Sequence, residues 1–174
     1  NSESEKSAVT NEELVAEIKN DKKRSVVSVI KKENNSLQKP TRVAFISFDN
    51  SSGKASEYGD LGGPLRDMLT SDLNTVENLT MVDRQALQKV LEEQNLNNSE
   101  KFDQSTATKI GKLLGAEMII TGTYFEMFGS LRIDAKLINV ETGEIAFSVG
   151  ADGAREQFFD LKKTLANLIV EKLK

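Results

Sequence analysis

Apolar side chains recur along this chain at two spacings, every second residue and every third or fourth, and the two spacings alternate in blocks. Arg42 to Phe48, R-V-A-F-I-S-F, is a dense β-forming run with the length and character of a buried central strand. A polar loop rich in Gly and Ser follows from Asp49 to Asp60. Leu61 to Val76 reads as a helix, with Pro64 in its first turn and Leu65, Met68, Leu69 and Leu73 on one face. Leu79 to Val82 is the next strand. Asp83 is placed to cap a helix whose apolar positions are Leu87, Val90 and Leu91 and which fades at Asn95 to Asn98. Asp103 or Ser105 starts a further helix, with Ala107, Ile110, Leu113 and Leu114 inward and Gly115 as its stop.

Three strands then come in succession. Met118 to Met127 and Leu131 to Val140 are joined by F-G-S, a turn centred on Gly129, and Thr-Gly within Glu141 to Glu144 makes a second hairpin. Leu131, Ile133, Ala135 and Leu137 alternate with polar residues, so one face of that strand is expected to be wet. Ile145 to Ala151 is the last strand and Gln157 to Leu173 the last helix, with Phe158, Leu161, Leu165, Leu168, Ile169 and Leu173 inward. The order β-α-β-α-α-β-β-β-α predicts an α/β (α+β) domain with one mixed sheet and helices packed on it, parallel at the start and an antiparallel meander at the end.

Ahead of this domain, Asn1 to Thr10 are too polar to offset the entropy of ordering and read as a flexible tether. Residues 11–39 read as an N-terminal helical segment and linker. Thr10 or Asn11 caps it, Glu12 and Glu13 suit the first turn, and Leu14, Val15 and Ile18 share a face. From Asp21 the run K-K-R-S-V-V-S-V-I-K-K fits a helical stripe or a short strand, and the helix is the preferred reading. Pro40 marks the start of the main domain, 40–174.

Composition narrows the chemistry. The 174 residues contain no Cys and no His, which removes disulfides, thiol chemistry, a His-based triad and an ordinary zinc site. A net charge of -4 argues against nucleic acid, whose non-specific affinity comes from Lys and Arg neutralising phosphates. The longest apolar segments are strand-sized, well short of the ~20 residues of a membrane helix. The chain begins at Asn1 and not at Met. The expectation is therefore a longer precursor, trimmed by removal of a secretory or lipoprotein signal or at a boundary that excludes disordered residues.

Four segments carry a family resemblance in their order and spacing: V-A-F-I-S-F-D-N-S-S-G, V-D-R-Q-A-L-Q-K-V-L-E-E-Q-N-L, I-G-K-L-L-G-A-E-M-I-I-T-G-T and A-K-L-I-N-V-E-T-G-E-I. From Arg42 to Lys174 the chain resembles the extracytoplasmic curli-assembly secretion lipoproteins and their relatives, which include periplasmic activators of peptidoglycan synthases. The resemblance implies an anticodon-binding-like or Tol-type N-terminal domain fold, a bacterial envelope address and work done through protein contacts, with no catalytic residues. It also implies two membrane-spanning hairpins per subunit in the channel itself. This chain departs there, because two such hairpins would need about 40 further residues, and the hairpin from Met118 to Val140 is already needed for the core sheet. A soluble periplasmic member is expected, not a pore.

Several local patterns invite chemical readings. Asp49 to Lys54 resembles a phosphate loop but lacks the Walker spacing, since about six residues separate Lys54 from the helix at Leu61. An exposed loop is the simpler reading and partner contact the functional one. Gly62, Gly63 and Pro64 read as the geometry of a helix start, and Asp83 as a cap with Arg84 bracing the strand–helix corner. Gly111, Gly115 and Gly122 read as close-packing or turn positions. Nothing in the spacing of Glu92, Glu93, Glu141 and Glu144 brings two carboxylates together. The residues expected at a partner surface are Asn50, Ser51, Ser52, Lys54 and Tyr58 in the loop, with Lys22, Lys23 and Arg24 as a basic patch or a solvated face.

The expected function is a non-catalytic envelope interaction module, a lipid-anchored periplasmic or outer-membrane-associated adaptor in cell-envelope assembly or secretion. Its partners would be other envelope proteins or itself, with membrane contact only through an upstream lipid, and with no cofactor or metal. A homo-oligomeric ring of a secretion apparatus and a hydrolase or small-ligand enzyme stay open as alternatives. A deep pocket with converging acids would favour the last.

Overall fold

The computed structural model describes residues 36–53, 59–96 and 102–174. The expected tether at 1–10 and residues 11–35 of the expected segment 11–39, including Lys22, Lys23 and Arg24, lie outside the described residues, as do Lys54 and Tyr58, whereas residues 36–39 are strand. Five strands form one mixed sheet: β1 (Ser36–Asn50), β2 (Glu77–Met81), β3 (Met118–Met127), β4 (Ser130–Asn139) and β5 (Ile145–Ala154). Among the described residues four α-helices accompany them, α1 (Gly62–Leu73), α2 (Arg84–Glu93), α3 (Gln104–Leu113) and α4 (Phe158–Leu173). The spatial order is β2-β1-β3-β4-β5, and the order along the chain is the one the periodicity predicts. β1 pairs in parallel with β2 and β3, whereas β3, β4 and β5 form an antiparallel meander.

Alternation in the strands sorts the core into two layers. Val43, Phe45, Phe48, Ile120, Tyr124, Leu131, Ile133 and Leu137 face α1 and α4, which contribute Leu65, Leu69, Leu73, Leu161, Leu165 and Ile169. On the opposite face, Ala44, Ile46, Ile119, Ile138 and Val140 meet Leu87 and Leu91 of α2 and Ala107 and Ile110 of α3. Helices α2 and α3 cover only one end of that second face. Further along it, Arg132 of β4 pairs with Asp134 and with Asp152 of β5 in water, which is the wet face that the alternation predicts.

The expected strand at Arg42 to Phe48 is the middle of a longer one. β1 starts at Ser36, and Leu37 is buried in the core. Pro40 does not stop it, because the β1–β2 register slips between Ser36 and Thr41 and β3 joins only at Val43, so the missing N–H interrupts no ladder bond. Asn78, at φ 65, holds the slipped segment by donating from Nδ2 to the Leu37 carbonyl at 2.8 Å. Asp49 and Asn50, expected in the loop, are also strand. Helix α1 ends at Leu73, short of Val76, where Asn74 and Thr75 bond back to the last turn.

A second irregularity shapes the core. The β1–β3 register shifts between Phe45 and Phe48, which puts both rings on the α1/α4 face, 5.1 Å apart. Phe48 packs against Gly122, where a Cβ would fall 2.0 Å from the ring and 2.5 Å from the Asp134 carbonyl. Gly111 plays the same part on the other face, where a Cβ would meet Ile119 at 2.5 Å. Leu113, expected inward, is exposed, because α3 turns through its last residues and Leu114 takes the inward position. Gly115, at φ 62, closes the helix.

Two stability outcomes follow from these contacts. Gly122→Ala should lose about 3 kcal/mol in chemical denaturation, since backbone lies on one side of the new methyl. Ser47 sits in the shifted segment of β1, and among the described residues its hydroxyl is buried with no hydrogen-bond partner. Ser47→Ala should therefore be neutral or stabilise by about 1 kcal/mol, where an ordinary polar truncation in a sheet would destabilise.

Candidate functional site: the end of the sheet at the β1 loop and the β3–β4 turn

The carboxyl end of β1 continues past its last strand residue by backbone and side-chain bonds to β3. Ser51 donates twice to the Tyr124 carbonyl, from N–H at 2.8 Å and from Oγ at 3.0 Å. Ser52 Oγ accepts from the Glu126 N–H at 2.8 Å, and the Ser52 N–H donates to Asn50 Oδ1 at 2.8 Å. Three of the residues expected at a partner surface are thus brought together, but as the rigid stem of the loop. Their polar groups are used to hold it against β3.

The returning end of the loop is fixed by one phenol. Tyr124, fully buried, donates to Asp60 Oδ1 at 3.0 Å and accepts from the Leu61 N–H at 3.3 Å. The same Asp60 oxygen accepts from the Gly62 N–H at 3.0 Å, which begins α1. Gly62 must lack a side chain, because a Cβ there would meet the Phe48 carbonyl at 2.1 Å. The expected geometry at Gly62–Gly63–Pro64 is therefore a helix start pressed onto the sheet. Burial pushes the Tyr124 phenol above the ordinary tyrosine range, and the charge of Asp60 adds to this.

Beside this stem lies the turn between β3 and β4. Met127 pairs with Ser130, so Phe128 and Gly129 alone make the loop, with φ 51 and φ 75. Both central residues at positive φ define the turn that suits the twist of a hairpin, and Asn-Gly is the usual sequence for it. Phe128 has the wrong backbone preference and a side chain that is 98 % exposed. Met127 next to it is 49 % exposed, and Phe159, in the first turn of α4, is 69 % exposed with its ring edge-on to Phe158. Arg155 joins the two segments: its N–H donates to the Gly129 carbonyl at 2.9 Å and its guanidinium pairs with Glu126 at 2.6 Å.

Sequence reasoning placed F-G-S in a turn but missed these apolar residues as a surface. A phenylalanine immediately before Gly in a two-residue turn was the available signal, since neither turn preference nor burial accounts for it. Asp83 and Arg84 resolve differently from each other. Asp83 Oδ2 caps α2 by accepting from Gln85 and Ala86 N–H, whereas Arg84 braces a more distant element than expected by pairing with Asp67 of α1 at 3.1 Å.

Comparison with known proteins agrees with this architecture. The family model described as curli production assembly/transport component CsgG matches residues 16–127. The fold is similar to the LpoB C-terminal domain from Salmonella enterica, with a TM-score of 0.58 and 18 % identity over 67 % of this chain and 84 % of that one. TolB from Acinetobacter baumannii gives 0.53 at 13 % identity, covering 79 % of this chain and 29 % of that one. A PelC dodecamer from Paraburkholderia phytofirmans gives 0.50 at 15 % identity, covering 79 % and 91 %. No curated protein matches the chain.

The buried phenol makes a pH prediction. A raised folded-state value means that the stabilisation is full below the unfolded tyrosine value of about 10 and is lost as pH rises through the folded value. Thermal melts taken across that alkaline range should fall more steeply for the wild type than for Tyr124→Phe. Parallel slopes would contradict the assignment.

Proposed function

The chain belongs to the curli production assembly/transport component CsgG family, and from that premise we propose that it is a non-catalytic adaptor of the bacterial envelope, anchored by a lipid and acting through the end of its sheet. The observation that carries the reading is Phe128. A non-glycine residue in the left-handed region costs about 1–2 kcal/mol, and burial of its ring in the chain's own core does not compensate here. Strain of this kind, combined with exposed apolar side chains, is characteristic of surfaces that meet a partner. Met127, Phe128 and Phe159 would supply the apolar centre of the contact, and the described residues at the end of β1 and before α1, Ser51 to Gly53 and Gly59 to Asp60, would lie at its polar rim. Lys54 and Tyr58, expected from the sequence at a partner surface, remain part of the same proposal.

Both strands of the β3–β4 hairpin are used by the central sheet, with Leu131, Ile133, Ala135 and Leu137 of β4 buried beneath α4. A membrane-spanning role for this hairpin would require it to leave the core. Among the described residues, no helix is long and apolar enough to cross a membrane. Membrane attachment through an upstream lipid is part of the proposal and rests on membership of this family. Metabolic labelling of the full-length precursor with an alkyne fatty acid tests it, with a labelled protein in the envelope fraction expected and an unlabelled cytoplasmic one contradicting it.

A homo-oligomeric ring is the second reading, favoured by β5. This edge strand of ten residues carries Asp152 as its single charge and leaves Ile145 and Phe147 partly exposed, without the lysines or prolines that commonly protect an edge. Sedimentation over a wide concentration range separates the two, since a persistent monomer removes the ring.

Phe128→Asn tests the contact itself, because the two consequences run in opposite directions. Asparagine tolerates the left-handed turn, so the variant should gain about 1 kcal/mol of stability. A photo-reactive phenylalanine analogue at position 128 should give one discrete envelope adduct in cells, and the same analogue at exposed Leu113 should not. A stabilised variant that retains full activity in the native envelope would remove Phe128 from the contact.

A further inference from the structure

The second candidate lies away from that surface, where β2 stops short. β2 follows β1 only as far as the pair Val43–Met81, and the chain leaves at Val82, whose N–H donates to the Val43 carbonyl at 2.8 Å. β1 runs on to Asn50, and among the described residues no strand flanks it on that side. The notch holds a cavity of about 120 Å³ bordered by Ala44, Phe45, Val82 and Leu87, with Arg66, Asp67, Thr70 and Arg84 at its rim.

The rim is unusual in its charge. Asp67 presents Oδ1 to Arg66 at 3.0 Å and Oδ2 to Arg84 at 3.1 Å, so two guanidiniums share one carboxylate and the cluster is left with one positive charge. The Arg66 side chain is 13 % exposed, so its charge is held largely out of water, where an added anion is worth more than at the surface. The Arg84 side chain is 69 % exposed and its pair with Asp67 is of the surface kind, which contributes little to stability. Arg84 can therefore change partners at small cost. Thr70, one turn after Arg66 on α1, adds a hydroxyl at the same rim.

We propose that this notch binds the free C-terminal carboxylate of a partner polypeptide that ends in a small apolar residue. The carboxylate would lie between Arg84 and Arg66, in the manner in which Asp67 already lies there, and the terminal side chain would rest on Val82 and Leu87. The open edge of β1 beyond Val43 would face the peptide's last backbone groups. Charge-assisted guanidinium–carboxylate bonds give such a site its orientation, and the apolar floor beside them selects an α-carboxylate over an acidic side chain carried on a polar backbone. Asp67 acts as an internal competitor that covers the arginines when the notch is empty.

This arrangement makes opposite predictions for two variants. In a ¹⁵N–¹H titration with N-acetyl-L-valine, saturable shifts should centre on Thr70, Val82, Arg84 and Leu87. Arg84→Gln should weaken binding by about tenfold. Asp67→Asn should strengthen it by removing the competitor. N-acetyl-L-valinamide, which lacks the charge, should give no saturable shifts. Absence of saturable shifts with the acid, equal shifts with the amide, or weaker or unchanged binding in Asp67→Asn would overturn the proposal. Equal affinity for the α-amide of N-acetylglutamate, whose carboxylate is on its side chain, would overturn the assignment to a chain terminus.

Discussion

The structure depends above all on the parallel pairing of β1 with β3. Among the described residues β1 is the one strand with parallel neighbours on both sides, and it carries buried side chains toward the helices on each face: Val43, Phe45 and Phe48 one way, Ala44 and Ile46 the other. Loop closure makes this pairing costly, because its two strands are separated by three helices, β2 and the connections between them. What offsets the cost is burial on both faces and the close fit of Phe48 over Gly122. The pairing then extends beyond the strand through Ser51 and Ser52 to Tyr124 and Glu126.

That extension connects fold to function. Through Glu126 and Arg155 the stem of the β1 loop is mechanically joined to the β3–β4 turn, and through Tyr124 and Asp60 it is joined to the start of α1. For the contact proposed above, a surface built this way would be organised before a partner arrives, which lowers the ordering cost of association. Phe128 can then be held in a strained turn with its ring in water because the segments around it are over-determined. The arginine notch beside β2 depends on the same strand for a different reason. β1 outlasts its neighbour, and the gap this leaves is bordered by charge.

Much of the fold was legible because periodicity reports burial. The alternation in β4 announced both its buried and its wet face, and the run at Val43 to Phe48 announced a strand covered on two sides. Departures arose where one residue has two readings. Pro40 signals a boundary in sequence, but it sits in a slipped register where its missing N–H goes unnoticed. Leu113 and Leu114 are equally apolar, and only the helix phase at the Gly115 stop decides which turns inward. At the surface the signal was weaker. Asn50, Ser51 and Ser52 read as a polar loop, yet their polarity serves the β3 contacts, and Phe128 was unremarkable in a sequence read for cores. Arg66, Asp67 and Arg84 come from two helices and meet only through the fold.

The claim that this end of the sheet is a rigid, prebuilt surface has a direct test in native-state amide hydrogen exchange. The account predicts that the Ser51 and Glu126 amides exchange as slowly as those of Phe45 and Ile120 in the middle of the sheet, through the same global opening. Exchange of Ser51 and Glu126 at the rate of an open loop, while Phe45 stays protected, would contradict it.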